Sequence, residues 1–192
     1  MKRTVFLLTA FFALAIAANA QGLVVGASVE NFSMPDISGK TRTLNDVKGE
    51  KGTVLIFVSA QCPVVKGYND RMNQIVADYK ARGINVIGIN SNATESLAWV
   101  KKHAEETYKF NVLIDKGSVL ADKLGASVTP EVYYLDSKNV LLYHGAIDND
   151  RSGGNVTEQY LRTAFDTSLA GKKVPRTSAN AFGCSIKKTG TQ

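Results

Sequence analysis

Three stretches of the chain are nearly uninterrupted runs of apolar and β-branched residues. These runs are TVLIFVSA at 53–60, INVIGIN at 84–90 and FNVLID at 110–115. Runs of this length and composition are typical of strands that are covered on both faces, as in a parallel sheet. Two later runs, EVYYLD and VLLYHGAID, are separated by only three polar residues, 137–139. That spacing predicts an antiparallel hairpin.

Between these runs the apolar residues recur at helical spacing. After residue 62 the periodic positions i, i+3, i+4 and i+7 are Met72, Ile75, Val76 and Tyr79. With Gly83 as a stop, this pattern predicts a helix over 63–82. Three more helices are predicted in ESLAWVKKHAEETY, GSVLADKLG and NVTEQYLRTAFDTSLAG. Asn92 and Thr94 are the candidate N-caps of the first of these three.

The segment before residue 53 predicts a β-hairpin. Its turn is Ser38-Gly39-Lys40, and Thr41, Thr43 and Val47 are mostly residue types of strands or strand edges. The predicted order of elements is then hairpin, β, α, β, α, β, α, β, β, α. This order indicates an α/β fold in which helices flank a central mixed sheet, largely parallel with an antiparallel edge, and a hairpin extends the N-terminus.

The first twenty residues differ from the rest of the chain. Two basic residues precede an apolar stretch from 5 to 18 and a small-x-small motif that ends at residue 20. This layout is typical of a secretory signal, and the stretch is short for an uncleaved membrane anchor, which is the alternative. We therefore expect a signal peptide at 1–20, a domain at 21–171 and a C-terminal tail at 172–192 that carries Cys184. The protein would be periplasmic or secreted, with no membrane attachment after cleavage.

Composition and charge exclude several classes of function. The 192 residues, 44% hydrophobic and 21% charged, suit one soluble globular domain. Removing Lys2 and Arg3 with the leader lowers the net charge from +6 to +4, and the remaining basic residues are scattered. We expect no nucleic-acid partner, because no block of like charge is present. A zinc site is not expected, because it needs four Cys or His ligands at a paired spacing that this chain lacks. Chemistry at a thiol needs no metal or organic cofactor, and we expect none.

The two cysteines, Cys62 and Cys184, are the candidates for chemistry. Cys62 follows the 53–60 strand and precedes Pro63, which suits the first turn of a helix. Free backbone N–H groups and the helix dipole at that point favour a thiolate, so we expect the pKa of the Cys62 thiol to be lowered. Catalytic groups collect at the carboxyl ends of parallel strands, which is where Cys62 is predicted to lie.

These motifs resemble those of a known superfamily. A hairpin entry, a strand that ends in Cys62-Pro63 at a helix start, and Thr129-Pro130 before a closing hairpin together resemble the thioredoxin-like superfamily. Within it, the motif CP-x-V-K near Cys62 and the motif GCSIK around Cys184 resemble the peroxiredoxin-like redoxins of the alkyl-hydroperoxide-reductase/thiol-specific-antioxidant type. The resemblance covers about residues 24–188.

The resemblance implies a thioredoxin-like fold and a redox or peroxidatic Cys62. It also implies a cis bond between Thr129 and Pro130, packed against the cysteine. The substrate would be a peroxide or a protein disulfide. The substrate groove would include Ser59, Pro63, Thr129 and Pro130, and the thiol electron donor is not indicated.

The chain departs from the two best-known patterns of this superfamily. The second cysteine of a Cys-x-x-Cys motif is replaced by Val65. Ser59 matches the Thr or Ser that precedes a peroxidatic cysteine, but the earlier proline is replaced by Leu55. Arg71 and Arg151 are the candidates for the arginine that stabilises a peroxidatic thiolate.

Cys184 has two alternative roles. It lies in what we expect to be a flexible tail, anchored by Phe182 and Ile186, and from there it can attack an oxidised Cys62 as a resolving cysteine. The alternative is a permanent Cys62–Cys184 disulfide that closes a loop of about 120 residues, with a stabilisation of about 4–5 kcal/mol in the chain-entropy model. In that case the protein would be a non-enzymatic module that binds a partner or copper.

Both histidines have ordinary structural interpretations. His103 lies on a charged helix and is expected at the surface, and His144 lies on a predicted strand, where a structural hydrogen bond is expected. With Cys62, His144 would form a soft copper site, which is a third hypothesis.

We expect an exported thiol oxidoreductase that uses Cys62, with Cys184 as the candidate resolving cysteine.

Overall fold

The computed structural model describes residues 22–189, and a six-stranded mixed sheet lies at its centre. From one edge to the other the strands are β5 (Asn111–Ile114), β4 (Ile84–Asn90), β3 (Gly52–Phe57), β7 (Glu131–Asp136), β8 (Leu141–Gly145) and β9 (Ser178–Ala179). β3, β4 and β5 are parallel, β7 is antiparallel to β3, and β8 is antiparallel to β7. The predicted fold class is confirmed. The predicted signal peptide at 1–20 lies outside the described residues.

In the described part of the chain, five α-helices cover the two faces of the sheet. They are α1 (Leu44–Val47), α2 (Pro63–Tyr79), α3 (Leu97–Thr107), α4 (Val119–Leu124) and α5 (Tyr160–Leu169). Because side chains alternate along a strand, Val54 and Ile56 pack into one core with α2, α3 and α5. Leu55 and Phe57 pack into a second core, on the other face, with α1, α4 and the N-terminal hairpin. No helix of the described part of the chain has the length and apolar content that crossing a membrane requires.

The N-terminal hairpin is formed by β1 (Ser33–Pro35) and β2 (Thr41–Thr43), with the predicted turn between them. The Asp36 carboxylate organises this turn by accepting hydrogen bonds from Ser38, from the backbone N–H of Lys40 and from Arg42. Those bonds, first among them the one from the Ser38 hydroxyl, lower the pKa of Asp36 to about 2.

Two local predictions were wrong, and each failed at a helix N-terminus. Val47 belongs to α1 and not to a strand, because Thr43 and Asp46 form a capping box that starts a helix directly after β2. α3 begins after Ser96, whose hydroxyl accepts a hydrogen bond from the backbone N–H of Trp99 at 3.3 Å. Asn92 and Thr94, the predicted N-caps, therefore remain in the loop between β4 and α3.

The C-terminal segment differs from the expected flexible tail. It adds β9 to the sheet edge, parallel to β8, and its strand β10 (Cys184–Ser185) pairs antiparallel with β6 (Val128–Thr129). Val174 and Ile186 are buried. These backbone pairings and apolar contacts hold the described part of the tail, 172–189, against the domain. Its apolar content is too small for sequence periodicity to have predicted either strand.

Candidate functional site

Cys62 is the N-cap residue of α2, as the sequence predicts. Pro63 occupies the first helical position, and the Cys62 carbonyl accepts the N–H of Lys66 at 3.2 Å. The predicted strand 53–60 ends at Phe57, so residues 58–61 form a short loop that delivers Cys62 to the helix start. The Cys62 side chain is only 1% exposed. A sulfur at this position lies at the positive end of the α2 dipole, which favours the thiolate form.

Cys62 and Cys184 form a disulfide. Their Cα atoms are 6.0 Å apart, within the range that a disulfide spans without backbone distortion. Cys184 is partly exposed, whereas Cys62 is enclosed. The two cysteines that sequence analysis singled out are thus brought together, from positions 122 residues apart.

Thr129 and Pro130 complete the surroundings of the disulfide. The bond between them is cis, as the family resemblance implied. The Thr129 carbonyl oxygen lies 3.4 Å from the Cys62 sulfur. On the other side, Thr129 is the register partner of Cys184 in the β6–β10 ladder, and its hydroxyl lies 3.5 Å from the Cys184 carbonyl oxygen. Thr129 therefore contacts both halves of the disulfide.

The remaining predicted groove residues lie around this centre. Ser59 lines a cavity of about 360 Å³ beside the disulfide, together with both cysteines. We call this the disulfide cavity, and its other lining residues are Gln61, Asn92, Thr94, Ser185 and Lys187. Pro63 is exposed at the helix start, and Pro130 is buried next to Thr129.

Glu95 organises the loop that leads to Cys62. Its two carboxylate oxygens accept four hydrogen bonds, from the Ser59 hydroxyl at 2.5 Å, the N–H groups of Ala60 and Gln61, and the Asn90 amide at 2.7 Å. The Ser59 hydroxyl is thereby directed at Glu95. Sequence analysis missed Glu95, although its place just after the carboxyl end of β4, in the polar segment NSNATES, is where parallel sheets collect functional groups.

The tail reaches the site through a close approach at Gly183. A Cβ atom on Gly183 would collide with the Thr129 carbonyl group, so only glycine allows β10 to lie this near. Beyond the cysteine, the N–H of Ile186 donates to the Ser127 carbonyl at 2.9 Å, and the Lys187 carbonyl accepts the N–H of Ala93 at 2.7 Å. The motif GCSIK is visible in the sequence, but the role of its glycine depends on a tertiary contact with Thr129 that the sequence pattern does not indicate.

Of the two candidate arginines, Arg71 is engaged in hydrogen bonds and Arg151 is exposed. Arg71 donates to the Asp148 carboxylate at 2.7 Å and also to the backbone carbonyls of Gly67, Asp150 and Arg151. It stacks on Tyr68, whose pKa is raised to about 12, mainly by burial. Arg71 therefore holds the loop after β8 against α2, and the Arg151 side chain is exposed.

The histidines do not gather around Cys62. His144 stacks on Tyr133, which belongs to the second core, whereas Cys62 belongs to the first core on the other face of the sheet. His103 was expected at the surface but is half-buried and stacked on Tyr108, and burial lowers the pKa of His103. Residues 22–189 contain no cluster of three or more His, Cys, Asp or Glu side chains that could hold a metal ion.

Comparison with known proteins identifies a matching family and several relatives. The model of the AhpC/TSA family matches residues 25–144, a stretch that contains Cys62 and Thr129 and ends before the tail. The thiol-disulfide oxidoreductase ResA of Bacillus thuringiensis (strain Al Hakam) is 29% identical over 120 residues, which are 62% of this chain and 68% of that relative. The thioredoxin-like protein YneN of Bacillus subtilis (strain 168) is 30% identical over 147 residues, 76% of this chain and 81% of the relative.

A solved structure resembles almost the whole chain. The crystal structure of a hypothetical protein from Sinorhizobium meliloti 1021 superposes with a TM-score of 0.81 at 32% identity, and the match covers 89% of this chain and 98% of that chain. Because the match extends over nearly all of the other protein, the two share their whole architecture and not only a core.

Proposed function

The chain belongs to the AhpC/TSA family and has a thioredoxin-like fold, and from this premise we propose that it is a thiol–disulfide oxidoreductase in which Cys62 is the nucleophile and Cys184 the resolving cysteine. The observation that carries this proposal is the pairing of Cys62, at the N-terminus of α2, with Cys184 beside Thr129. The similarity to ResA supports disulfide exchange as the reaction.

In the reducing direction the Cys62 thiolate attacks one sulfur of a substrate disulfide. A mixed disulfide forms with Cys62, and the other substrate sulfur leaves as a thiolate. The Cys184 thiolate then attacks the Cys62 sulfur, which forms the internal disulfide and releases the second substrate thiol. One substrate disulfide has gained two electrons, and the Cys62–Cys184 dithiol has lost two.

Return to the dithiol requires an external thiol reductant. Because Cys62 is enclosed and Cys184 is partly exposed, the first reductant thiol attacks the Cys184 sulfur and Cys62 leaves as the thiolate. A second reductant thiol then attacks the reductant sulfur of this mixed disulfide, which releases Cys184 as a thiolate and leaves the reductant as its disulfide. The N-terminus of α2 stabilises this leaving group, and a more stable leaving thiolate makes the exchange faster.

Peroxide reduction is the second candidate, and the family membership favours it. The Cys62 thiolate would attack a peroxide oxygen to give a sulfenic acid and an alcohol or water, and Cys184 would condense with the sulfenic acid to give the disulfide and water. Leu55 replaces the family proline, and the donors of Arg71 are engaged by Asp148 and loop carbonyls. We therefore place disulfide exchange first.

The non-enzymatic alternative is a permanent disulfide. Its loop of 122 residues would stabilise the fold by about 5 kcal/mol in the chain-entropy model.

Copper binding has less support, because His144 packs with the core on the sheet face opposite Cys62. We also propose that residues 1–20 export the protein to the periplasm or the medium, where a disulfide persists.

The experiment compares wild-type protein with two cysteine variants in the reduction of a peptide disulfide. Pre-reduced wild type should release two thiols per chain. Cys62→Ser should release none, and Cys184→Ser should release one and stay linked to the peptide through Cys62, as mass spectrometry would detect. Equal release by wild type and Cys62→Ser would contradict the proposal. Hydrogen peroxide in place of the peptide tests the second candidate.

A further inference from the structure

The last seven described residues of the tail, 183–189, lie along the site and contain the two-residue strand β10, and we call them the tail strand. Gly183 lies against the Thr129 carbonyl, and Cys184 is held both by the β6 ladder and by its disulfide. The Ile186 side chain is 6% exposed and packs into the second core. The domain thus makes a specific contact with three residue types of the tail strand. These are a glycine, the cysteine that follows it, and a branched aliphatic residue two positions after the cysteine.

Residues of the tail strand line two cavities. One is the disulfide cavity, and the other is a cavity of about 550 Å³ at the carboxyl ends of β4 and β5. Asn92 lines both cavities, and its side-chain oxygen accepts the N–H of Lys187 at 3.0 Å. Lys187, which lines the disulfide cavity, is held to Asn92 and Ala93 by hydrogen bonds, and both of these residues line the larger cavity. A peptide in the place of the tail strand would therefore contact the linings of both cavities.

The larger cavity has apolar walls. Pro35, Leu97, Val100 and Ile114 line it, and Leu97 is 53% exposed at its rim. The carboxylates at its edge are engaged elsewhere: Asp36 by the hairpin turn, Glu95 by the Cys62 loop, and Asp115 by the N–H groups of Leu120 and Ala121. We call this space the apolar cavity. It suits a large apolar side chain better than a charged one.

Of the tail residues that the structure describes, only Thr189 lines the apolar cavity. It stands five positions after Cys184. A threonine is small and polar, so the tail strand makes little use of the apolar walls at this position. A peptide with a leucine there would bury more apolar surface than the tail does.

We propose that the tail strand occupies the groove in which a partner polypeptide binds when it exchanges disulfides with Cys62. The partner segment has glycine before its cysteine, a branched aliphatic residue two positions after it and a large apolar residue five positions after it. This inference rests on the proposed function and adds the class of substrate to it. At the fifth position after its cysteine, the tail binds the groove more weakly than such a partner segment would. The tail is, however, covalently part of the protein, which raises its local concentration, so partner and tail compete for one groove.

Synthetic heptapeptides test the inference. The first copies residues 183–189 as Gly-Cys-Ser-Ile-Lys-Lys-Thr, the second ends in Leu instead of Thr, and the third begins with Ala instead of Gly. Full-length Cys184→Ser protein, whose Cys62 is free, is equilibrated with each peptide in a glutathione buffer. Mass spectrometry then gives the equilibrium constant for the mixed disulfide with Cys62, relative to that for glutathione.

We expect the Leu peptide to form the mixed disulfide about tenfold more favourably than the Thr peptide, because about half of a leucine side chain would be buried. The Ala peptide should be at least tenfold less favourable than the Gly peptide, because its methyl group meets the Thr129 carbonyl. Leu97→Glu should reduce the preference for Leu to less than twofold. Val24→Glu, at an apolar residue 66% exposed outside the cavity, should keep it.

The outcomes separate this inference from the proposed function. Equal equilibrium constants for all peptides would overturn the inference and leave Cys62 exchange intact. Absence of any mixed disulfide, with glutathione as with the peptides, would overturn both. Wild-type protein provides the same test without a substitution: at equal excess and at equilibrium, peptide mapping should find the mixed disulfide on Cys62 in a larger fraction with the Leu peptide than with the Thr peptide, and equal fractions on Cys62 would contradict the inference.

Discussion

Cys184 is joined to Cys62 through its sulfur and to Thr129 through its backbone, so one tail residue is held in two independent ways. The backbone pairing places the Cys184 sulfur at Cys62 without any need for the covalent bond. In the dithiol form the same pairing keeps the resolving thiol at a high local concentration. The closeness of β10 to β6, which depends on Gly183, therefore controls how readily the disulfide forms.

Gly183→Ala should shift the internal redox equilibrium toward the dithiol. The added methyl group collides with the Thr129 carbonyl group, and relieving such a clash costs about 1–3 kcal/mol. The equilibrium constant for disulfide formation in glutathione buffer should fall about tenfold, as measured by alkylation and mass spectrometry. Gly154→Ala is the control, because a Cβ there has ordinary space, and it should leave the constant unchanged.

Glu95→Gln should destabilise the protein by about 1–3 kcal/mol. Each carboxylate oxygen accepts at least one hydrogen bond from an N–H group that cannot itself accept, so an amide nitrogen in place of either oxygen would leave an N–H donor unsatisfied. Urea unfolding measures the change. Glu105→Gln, at an exposed residue in an ion pair with Lys101, serves as the comparison, and an equally small effect at both positions would show that Glu95 does not organise the Cys62 loop.

Arg71→Ala should destabilise the protein by about 3 kcal/mol, because Asp148 would be left buried without its cation. Hydrogen exchange should rise in the loop after β8, whose carbonyls Arg71 also binds. Arg82→Ala removes an exposed ion pair with Asp166 and should have little effect. Similar effects of the two substitutions would argue against a central role of Arg71 in holding this loop.

The contribution of Asp36 to stability should depend on pH. Its pKa is about 2 in the folded protein and 3.8 in the reference state, so the stabilisation is complete above pH 3.8 and is lost as the pH falls through about 2. Urea unfolding of wild type and Asp36→Asn should therefore differ most at pH 5–6, and the difference should shrink toward pH 2. A difference that stays constant over this range would show that the Asp36 carboxylate is not selectively stabilised in its charged form.

Patterns local in sequence predicted much of the fold. The apolar runs of β3, β4 and β5 and the helical spacing of α2 depend on neighbouring residues, and they identified the sheet and the position of Cys62. The N-terminus of α3 was misplaced because Asn92, Thr94 and Ser96 are all good capping residues. Which of the three caps the helix depends on tertiary contacts.

Contacts between residues distant in sequence were out of reach. Glu95 binds groups about 35 residues earlier in the chain, and β10 pairs with β6 across 55 residues. Neither relationship leaves a periodic signal. The tail strand has only one deeply buried side chain, Ile186, and its other attachments are the disulfide, the close approach at Gly183 and backbone hydrogen bonds, none of which produces an apolar pattern in the sequence.

The most direct test of the account is whether the Cys62–Cys184 disulfide is reversible in the folded protein. Wild-type protein is equilibrated in glutathione buffers from oxidising to strongly reducing, the thiols are trapped by alkylation, and circular dichroism reports the fold at each point. A redox-active pair should convert reversibly between disulfide and dithiol, with the protein folded throughout. A disulfide that persists in excess reductant and opens only when the protein unfolds would contradict the account and favour a permanent structural bond.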